Sequence, residues 1–244
     1  MALDNLGWGY TRIQGALANL DHKVGRGTIA NVLKANGVEP APKRGHHIRW
    51  STVLKAHWKG FAASDFFSVE VWTPRGLVTY YVLFVISIAD WVVHVAGITN
   101  RPDESWMLQI GRHLLDAEDC ALAGKRYLIV DRDTKYSKRF RDFIAEGGTE
   151  VIRLPPLSPN LNAFAERFVR SIKEECLAKM IFVGQGSLRR ALTEYMTHFH
   201  EERNHQGLEN RMIRERPVVA ANDASIHRRT RLGGMLSYYH RVAA

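Results

Sequence analysis

Cysteine is almost absent: the 244 residues hold two, Cys120 and Cys176. Their spacing fits neither a metal site nor a redox motif, and two thiols cannot build a disulfide framework, so both read as buried or idle groups in a reducing cytosol. Long apolar runs are missing as well. The longest, "GLVTYYVLFVISIA" at 76–89, is 14 residues without a charge, short of the ~20 that a membrane helix needs. No secretory signal opens the chain, and no membrane partner is expected. A GxxxxGK phosphate loop is lacking, which argues against nucleotide hydrolysis as an energy source. Internal repeats and low-complexity tracts are lacking too.

What is present is ordinary globular material, 45% hydrophobic and 24% charged, enough for one core of about 150 residues with small appendages. The formal charge of +9 is unevenly spread. Residues 1–60 hold nine Lys/Arg against three Asp/Glu, and residues 211–244 hold seven against two. A slightly acidic middle therefore lies between two basic arms, which suits a polyanion gripped from two sides. Basic surface that merely aids solubility is the competing reading.

Along the chain, "GYTRIQGALANLDHKVGRGTIANVLKANG" predicts a short helix with Ile13 and Leu17 inward, a turn at Asp21 to Gly27, and a second helix begun by Thr28 and ended by Gly37. Lys23, Arg26 and Lys34 flank that second helix and suit contact with phosphates or a groove. Three strand-like runs follow, at 64–73, 77–87 and 92–99, the first two joined so briefly by Pro74 to Gly76 that they should pair antiparallel. A helix at about 103–119, the strand "YLIV" at 127–130, a helix near 138–146 and the strand "EVIRL" at 150–154 complete a mixed sheet covered by helices. After the loop with Pro155, Pro156 and Pro159, two long helices are expected near 162–180 and 186–204. Phe164, Phe168, Ile172 and Cys176 form the apolar stripe of the first, and Leu188, Leu192, Tyr195 and Phe199 that of the second.

Three acids stand at informative places. Asp65 lies at the start of the first hydrophobic strand, Asp131 directly follows "YLIV", and Glu166 sits on the helix after the proline loop. Singly, each has a plain explanation: an exposed strand start, a cap for the turn "DRDTKYS", or an acid at the positive end of a helix. Together, they could converge on one cleft, where crowded carboxylates need cations. Oxygen-only ligands point to Mg²⁺ or Mn²⁺, two ions about 3.5–4 Å apart sharing one carboxylate, as phosphoryl-transfer sites use. Asp133 is a rival to Asp131, disfavoured because Asp131 is the one at the strand end. Glu166, Arg170 and Lys173 share a helix face through their i, i+4, i+7 spacing, so the acid could hold metal while the two cations hold a nucleic-acid strand. An exposed i, i+4 ion pair is the alternative. His198, His200 and His205 do not have zinc-protease spacing and read as surface or packing histidines.

These segments resemble the integrase-type transposases of bacterial insertion sequences, whose core has the ribonuclease-H-like fold. The resemblance lies in "ASDFFSVEVWTPRGLVTYYVLFVIS", in "LIVDRDTKYSKRF" and in "LPPLSPNLNAFAERFVRSIKEECL" followed by "YMTHFHEERNHQGLENR". The interval of 34 residues between Asp131 and Glu166 is similar to that family's. The resemblance implies an α/β fold, a ribonuclease-H-like mixed sheet flanked by helices with a small N-terminal helical segment. Its implied parts are a helix-turn-helix-like segment at 1–45, a linker at 46–60, a catalytic core at 61–210 and a basic tail at 211–244. It implies a metal-dependent polynucleotidyl transferase with Asp65, Asp131 and Glu166 as catalytic metal ligands, Asp65 bridging. Arg167, Arg170 and Lys173 would contact DNA, with Lys23, Arg26 and Lys34 on the N-terminal helices. The partners implied are double-stranded DNA, both element ends and target, and further copies of the chain in a bacterial cytoplasm. The pattern departs from the family at "ISIADWVVH", where Ser87 and Trp91 are expected to weaken hydrogen bonding behind the site or DNA contacts. Relatives commonly carry more sequence before "WGYTRI", so a truncated reading frame is expected. A decayed copy that only binds DNA and a nuclease acting on RNA in hybrids are the alternative functions.

Overall fold

The structure, a computed structural model, describes residues 2–3, 9–20, 22–38, 58–116, 121–154, 162–214 and 225–242. Asp21, most of the expected linker, Cys120, the prolines at 155, 156 and 159, and residues 215–224 lie outside the described residues. The chain divides into two compact units, Met1–His57 and Trp58–Ala244.

The first unit contains α1 (Tyr10–Ala18) and α2 (Arg26–Ala35). Ile13 and Ile29 are its buried centre, with Leu17, Leu33 and Tyr10 packed around them. Helix α2 starts at Arg26, two residues before the expected Thr28, because the extended Gly25 serves as its N-cap. It ends as the sequence predicts: Gly37 takes φ +68°, and the N–H groups of Gly37 and Val38 reach back to the carbonyls of Lys34 and Leu33 at 3.0 and 2.8 Å. This is a Schellman ending, which glycine permits without Cβ strain.

The second unit is built on a six-stranded sheet. Its strands are β1 (Phe61–Thr73), β2 (Gly76–Ser87), β3 (Val93–Thr99), β4 (Tyr127–Val130), β5 (Glu150–Arg153) and β6 (Phe182–Val183). The spatial order is β3-β2-β1-β4-β5, with β6 also paired to β1. Strands β1 to β3 are antiparallel neighbours, whereas β4 and β5 run parallel to β1. That is the ribonuclease-H-like arrangement. The first strand begins at Phe61, earlier than the expected 64, because Phe61, Ala62 and Ala63 pair with Tyr127, Leu128 and Ile129. Asp65 is therefore inside the strand and not at its start.

Alternation along the strands divides the core in two. On one face α3 (Glu104–Leu115) and α4 (Lys138–Glu146) cover Ala62, Leu83, Val85, Leu128 and Val130 with Met107, Leu114, Phe140 and Ile144. Both helices start on side-chain caps, Asp103 accepting from the Trp106 amide and Ser137 from the Phe140 amide, as capping chemistry favours. Helix α3 ends at Leu115, short of the expected 119, because Asp116 turns extended at ψ 134°. On the other face lie α5 (Ala163–Glu175) and α6 (Gly184–Glu201). Phe168 of α5 meets Phe84 at 4.8 Å, Phe67 at 6.5 Å and Phe199 at 5.2 Å between ring centroids. Burying each such side chain contributes roughly 1.5–3 kcal/mol, so this aromatic cluster fixes α5 against β1 and β2. Helix α5 stops at Glu175, where the expected helix ran to 180, because Cys176 leaves helical geometry with φ −130°. A short 3₁₀ turn at Leu177–Lys179 and strand β6 follow, and α6 then starts at Gly184 and ends at Glu201.

The expected basic tail contains a hairpin, β7 (Ser225–Arg231) and β8 (Leu236–Val242). Arg231 anchors it, bonding Glu202 through Nε and Nη2 at 2.8 Å each and Glu194 through Nη1 at 3.2 Å. Among the described residues no helix is long and apolar enough to cross a membrane.

Candidate functional site

Sheet register brings the first two acids together. Ala63 is level with Ile129 in the parallel pairing of β1 and β4, so two residues further on Asp65 and Asp131 reach the same level. Side chains two apart share a face, here the face that α5 covers. Past that point β4 has ended, and β1 regains a neighbour on this edge only at Val71 and Trp72, which pair with β6. The separation of β4 from β6 leaves the middle of β1 open on one edge. An opening at the carboxyl end of a parallel strand is where α/β sheets place ligands.

Glu166 enters from above, in the first turn of α5, exposed. Its influence is felt at Asp65, a half-buried carboxyl whose pKa is pushed up to about 6. Burial is the largest cause; the Phe66 amide, donating to Asp65 Oδ1 at 2.7 Å, opposes it, and the charges of Asp131, Glu166 and Asp133 add to it. Three acids from separate elements thus share one electrostatic field. Among the described residues, however, no three His, Cys, Asp or Glu side chains are gathered closely enough to hold a metal ion. The donors are all carboxylate oxygens that repel one another, and such a set fits Mg²⁺ or Mn²⁺ chemically. Drawing them onto one ion requires them to close in from where they stand.

Asp133 is engaged elsewhere. Burial alone would raise its pKa, but Lys135 outweighs that and holds it low, with Nζ 2.6 Å from Oδ2 and the Lys135 amide 2.9 Å from Oδ1. The same ammonium lies over the rings of Phe66 and Tyr81, at 5.2 and 5.3 Å. Asp131 Oδ1 accepts the Asp133 amide at 3.0 Å, which shapes the turn after β4. A buried pair fixes that turn to β1: the hydroxyls of Ser64 and Tyr136 are 3.0 Å apart, and Ser64 also donates to the Phe84 carbonyl at 2.9 Å. Sequence reasoning missed Lys135, Ser64 and Tyr136. Only proximity in the fold reveals Ser64 and Tyr136, which are 72 residues apart, whereas Lys135 bonds an acid two residues before it.

Arg170 and Lys173 are exposed on α5 with Glu166. Glu166 and Arg170 form no ion pair among the described residues, so the exposed-pair alternative is not seen. Arg167 lies on a neighbouring strip of the same helix, its guanidinium 5.7 Å from the centre of the Trp91 ring. Lys23, Arg26 and Lys34 are exposed on the N-terminal unit, Lys23 before α2, Arg26 in its first turn and Lys34 in its last.

The departures expected to weaken the site have partners. Ser87 Oγ accepts Lys125 Nζ at 2.7 Å, and the Trp91 ring meets Phe164 at 5.8 Å and His205 at 6.1 Å. The histidines pack inside. His198 pairs with Glu202 at 3.3 Å, His200 Nε2 accepts the Val93 amide at 3.0 Å, and His205 Nε2 lies 2.7 Å from the Phe199 carbonyl. Burial lowers the pKa of all three, that of His200 to about 4.

Residues 148–212 match the family described as integrase core domain. That stretch carries β5, α5 with Glu166, and α6, and stops short of Asp65 and Asp131. No curated protein matches the chain. Among solved structures, the catalytic core domain of BIV integrase is similar at 14% identity and TM-score 0.42, over 58% of this chain and 84% of that one. The catalytic domain of Mos1 mariner transposase is similar at 14% identity and TM-score 0.46, over 60% and 76%. The HTLV-2 integrase catalytic core domain in complex with magnesium is similar at 10% identity and TM-score 0.42, over 64% and 93%.

Proposed function

We propose that the chain is an integrase-type transposase, a polynucleotidyl transferase that cuts DNA at an element's ends and joins those ends to target DNA. The observation that carries this reading is the sheet register that sets Asp65 level with Asp131 on the face covered by α5, whose first turn holds Glu166. The integrase core match over 148–212 supports it from the sequence side.

Asp65, Asp131 and Glu166 would hold Mg²⁺ or Mn²⁺, two ions being the proposed number. When bound, such ions make an attacking hydroxyl more acidic and neutralise charge growing on the phosphate. The chain's own groups do the rest. Arg170 and Lys173, with Arg167 beside them, hold the phosphates of the reacting strand next to Glu166, and the basic N-terminal helix carrying Arg26 and Lys34 with Lys23 adds sequence-independent grip. Lys135 keeps Asp133 occupied, so that Asp131 is the acid left to the site. The Ser64–Tyr136 pair holds β1 and the turn after β4 at fixed separation, the kind of support that in-line displacement demands. No nucleophilic side chain is required, because water and then a DNA 3′-hydroxyl attack phosphorus directly. Two element ends must be joined in concert, so the active assembly holds at least two copies of the chain.

The test is strand transfer of a labelled duplex carrying the flanking terminal repeat into plasmid DNA with Mg²⁺ or Mn²⁺. Wild type should yield joined products and Glu166→Gln none. Exposed basic groups that need no metal, Arg170 and Lys173 on α5 and Arg26 and Lys34 on α2, support a second reading, a chain that binds DNA without cutting it. Salt-sensitive binding by both proteins with joining by neither would select that second reading.

A further inference from the structure

The β2–β3 turn, α5 and the end of α6 enclose a cavity of about 480 Å³, within the ~300–1,000 Å³ of small-molecule sites. Its walls are aromatic, with Trp91, Phe164 and Phe199 among them, and Arg167 and Arg203 add guanidinium groups. The two arginines differ in availability. Arg203 is bound to Glu175 by Nε and Nη2, the latter at 2.6 Å. Arg167 is exposed, lies over the Trp91 ring, and has no carboxylate partner among the described residues.

Trp91 occupies its place at a conformational cost. It closes the β2–β3 turn, its amide donating to the Ser87 carbonyl at 3.0 Å, with φ +62°. A left-handed residue other than glycine costs roughly 1–2 kcal/mol, and turns of this kind ordinarily use glycine or asparagine. The indole is held by close fit on one side, where a Cβ added at Gly207 would collide with the ring. The rest of the half-buried ring borders the cavity. Strain kept at one residue and supported from several sides is a mark of function.

We propose that this cavity receives one unpaired base of the DNA substrate, which stacks on Trp91 while Arg167 holds its phosphate. The proposal rests on the DNA strand-transfer reading and extends it to the nucleotides flanking the reacting bond. Flat π-faces with an adjacent guanidinium suit a base of any identity, and Arg167, which lines the cavity, follows Glu166 directly in the first turns of α5. A paired base cannot enter, so the cavity favours DNA ends that are frayed or overhung.

The test uses the full chain and two duplexes of one sequence at one salt concentration, one blunt and one with a three-nucleotide overhang containing 2-aminopurine. Wild type should bind the overhung duplex about tenfold more tightly, the effect expected of one stacked base, and quench 2-aminopurine emission. Trp91→Ala should bind both duplexes equally without quenching, and Trp91→Phe should keep most of the preference. Arg167→Gln, an exposed change, should reduce the preference at least threefold even if Trp91→Ala fails to fold. Equal binding of the two duplexes by wild type, or an unchanged preference in Arg167→Gln, overturns the proposal and leaves strand transfer intact. Binding of neither duplex at low salt overturns both.

Discussion

Arg231 grips Glu202 through two nitrogens, each 2.8 Å from a different carboxylate oxygen, and that carboxylate is 1% exposed. The Arg231 hydrogen bonds are the main cause that depresses the Glu202 pKa to about 2, against burial that would raise it. Removing Arg231 leaves the buried Glu202 carboxylate with only Arg229 at 3.5 Å and His198 at 3.3 Å, a loss of up to about 3–5 kcal/mol. Arg231→Ala should therefore lower the melting temperature by several degrees and expose the β7–β8 hairpin to protease. Because the folded-state pKa lies below the unfolded one, this stabilisation is complete above pH ~4.5 and fades as pH falls towards 2. Melts of wild type and variant should converge in acid.

Asp65 has the opposite sign. Its folded-state pKa near 6 lies above the ordinary carboxylate value, so ionisation costs stability as pH rises through that range. Without added metal, Asp65→Asn should be more stable than wild type above pH 6, by at most about 3 kcal/mol, and the advantage should vanish below pH ~4. Millimolar Mg²⁺ or Mn²⁺ should raise the melting temperature of wild type and not that of Asp65→Asn. An absence of both effects in thermal melts would remove the basis for a metal site at Asp65.

The hydroxyl pair behind the site predicts an asymmetry. In Tyr136→Phe, Ser64 keeps its bond to the Phe84 carbonyl, so the cost should be about 1 kcal/mol. In Ser64→Ala, a fully buried tyrosine hydroxyl loses its partner, and about 1–3 kcal/mol should be lost. Urea unfolding of both single variants and the double variant should give a double-variant loss smaller than the sum.

Arg170 and Lys173 make a prediction about salt. Neutralising either to glutamine should weaken duplex binding whatever the sequence and reduce the slope of log affinity against log salt by about one. Fluorescence anisotropy across a salt series measures both. A slope that does not change would place the phosphates elsewhere.

Much of the sheet was legible because its strands follow simple rules. "YLIV" is uniformly apolar because β4 is central, and 138–146 reads as a helix because Ser137 caps it and Phe140 and Ile144 repeat at helical spacing. Helix ends were read less well. Cys176 continues an apolar stripe but breaks the helix, a matter of backbone geometry that its burial conceals. The β7–β8 hairpin escaped because its inward residues include Arg229 and Arg231, which face Glu202 across space. A strand whose core-facing positions are arginines looks like solvated chain until its acid is known. Of the three acids proposed for the site, Asp131 follows a strand end and Glu166 lies on a helix face as the sequence suggested, whereas Asp65, expected at a strand start, is inside β1. Tyr136 could not be read this way, because the Ser64 contact that gives it a role joins distant parts of the chain.

The alignment of Asp65 with Asp131 depends on counting residues from the last paired couple, Ala63 and Ile129. A strand shifted by one position turns every side chain to the opposite face. One residue inserted or deleted between Tyr127 and Asp131 would thus either break β4 or turn Asp131 towards α3 and α4, with every acid still present in the sequence. Length in this four-residue strand is as constrained as chemistry. Single-codon insertions and deletions scanned through 127–131 should be lost from any population selected for DNA joining, whereas the exposed turn at Pro74 and Arg75 should tolerate them.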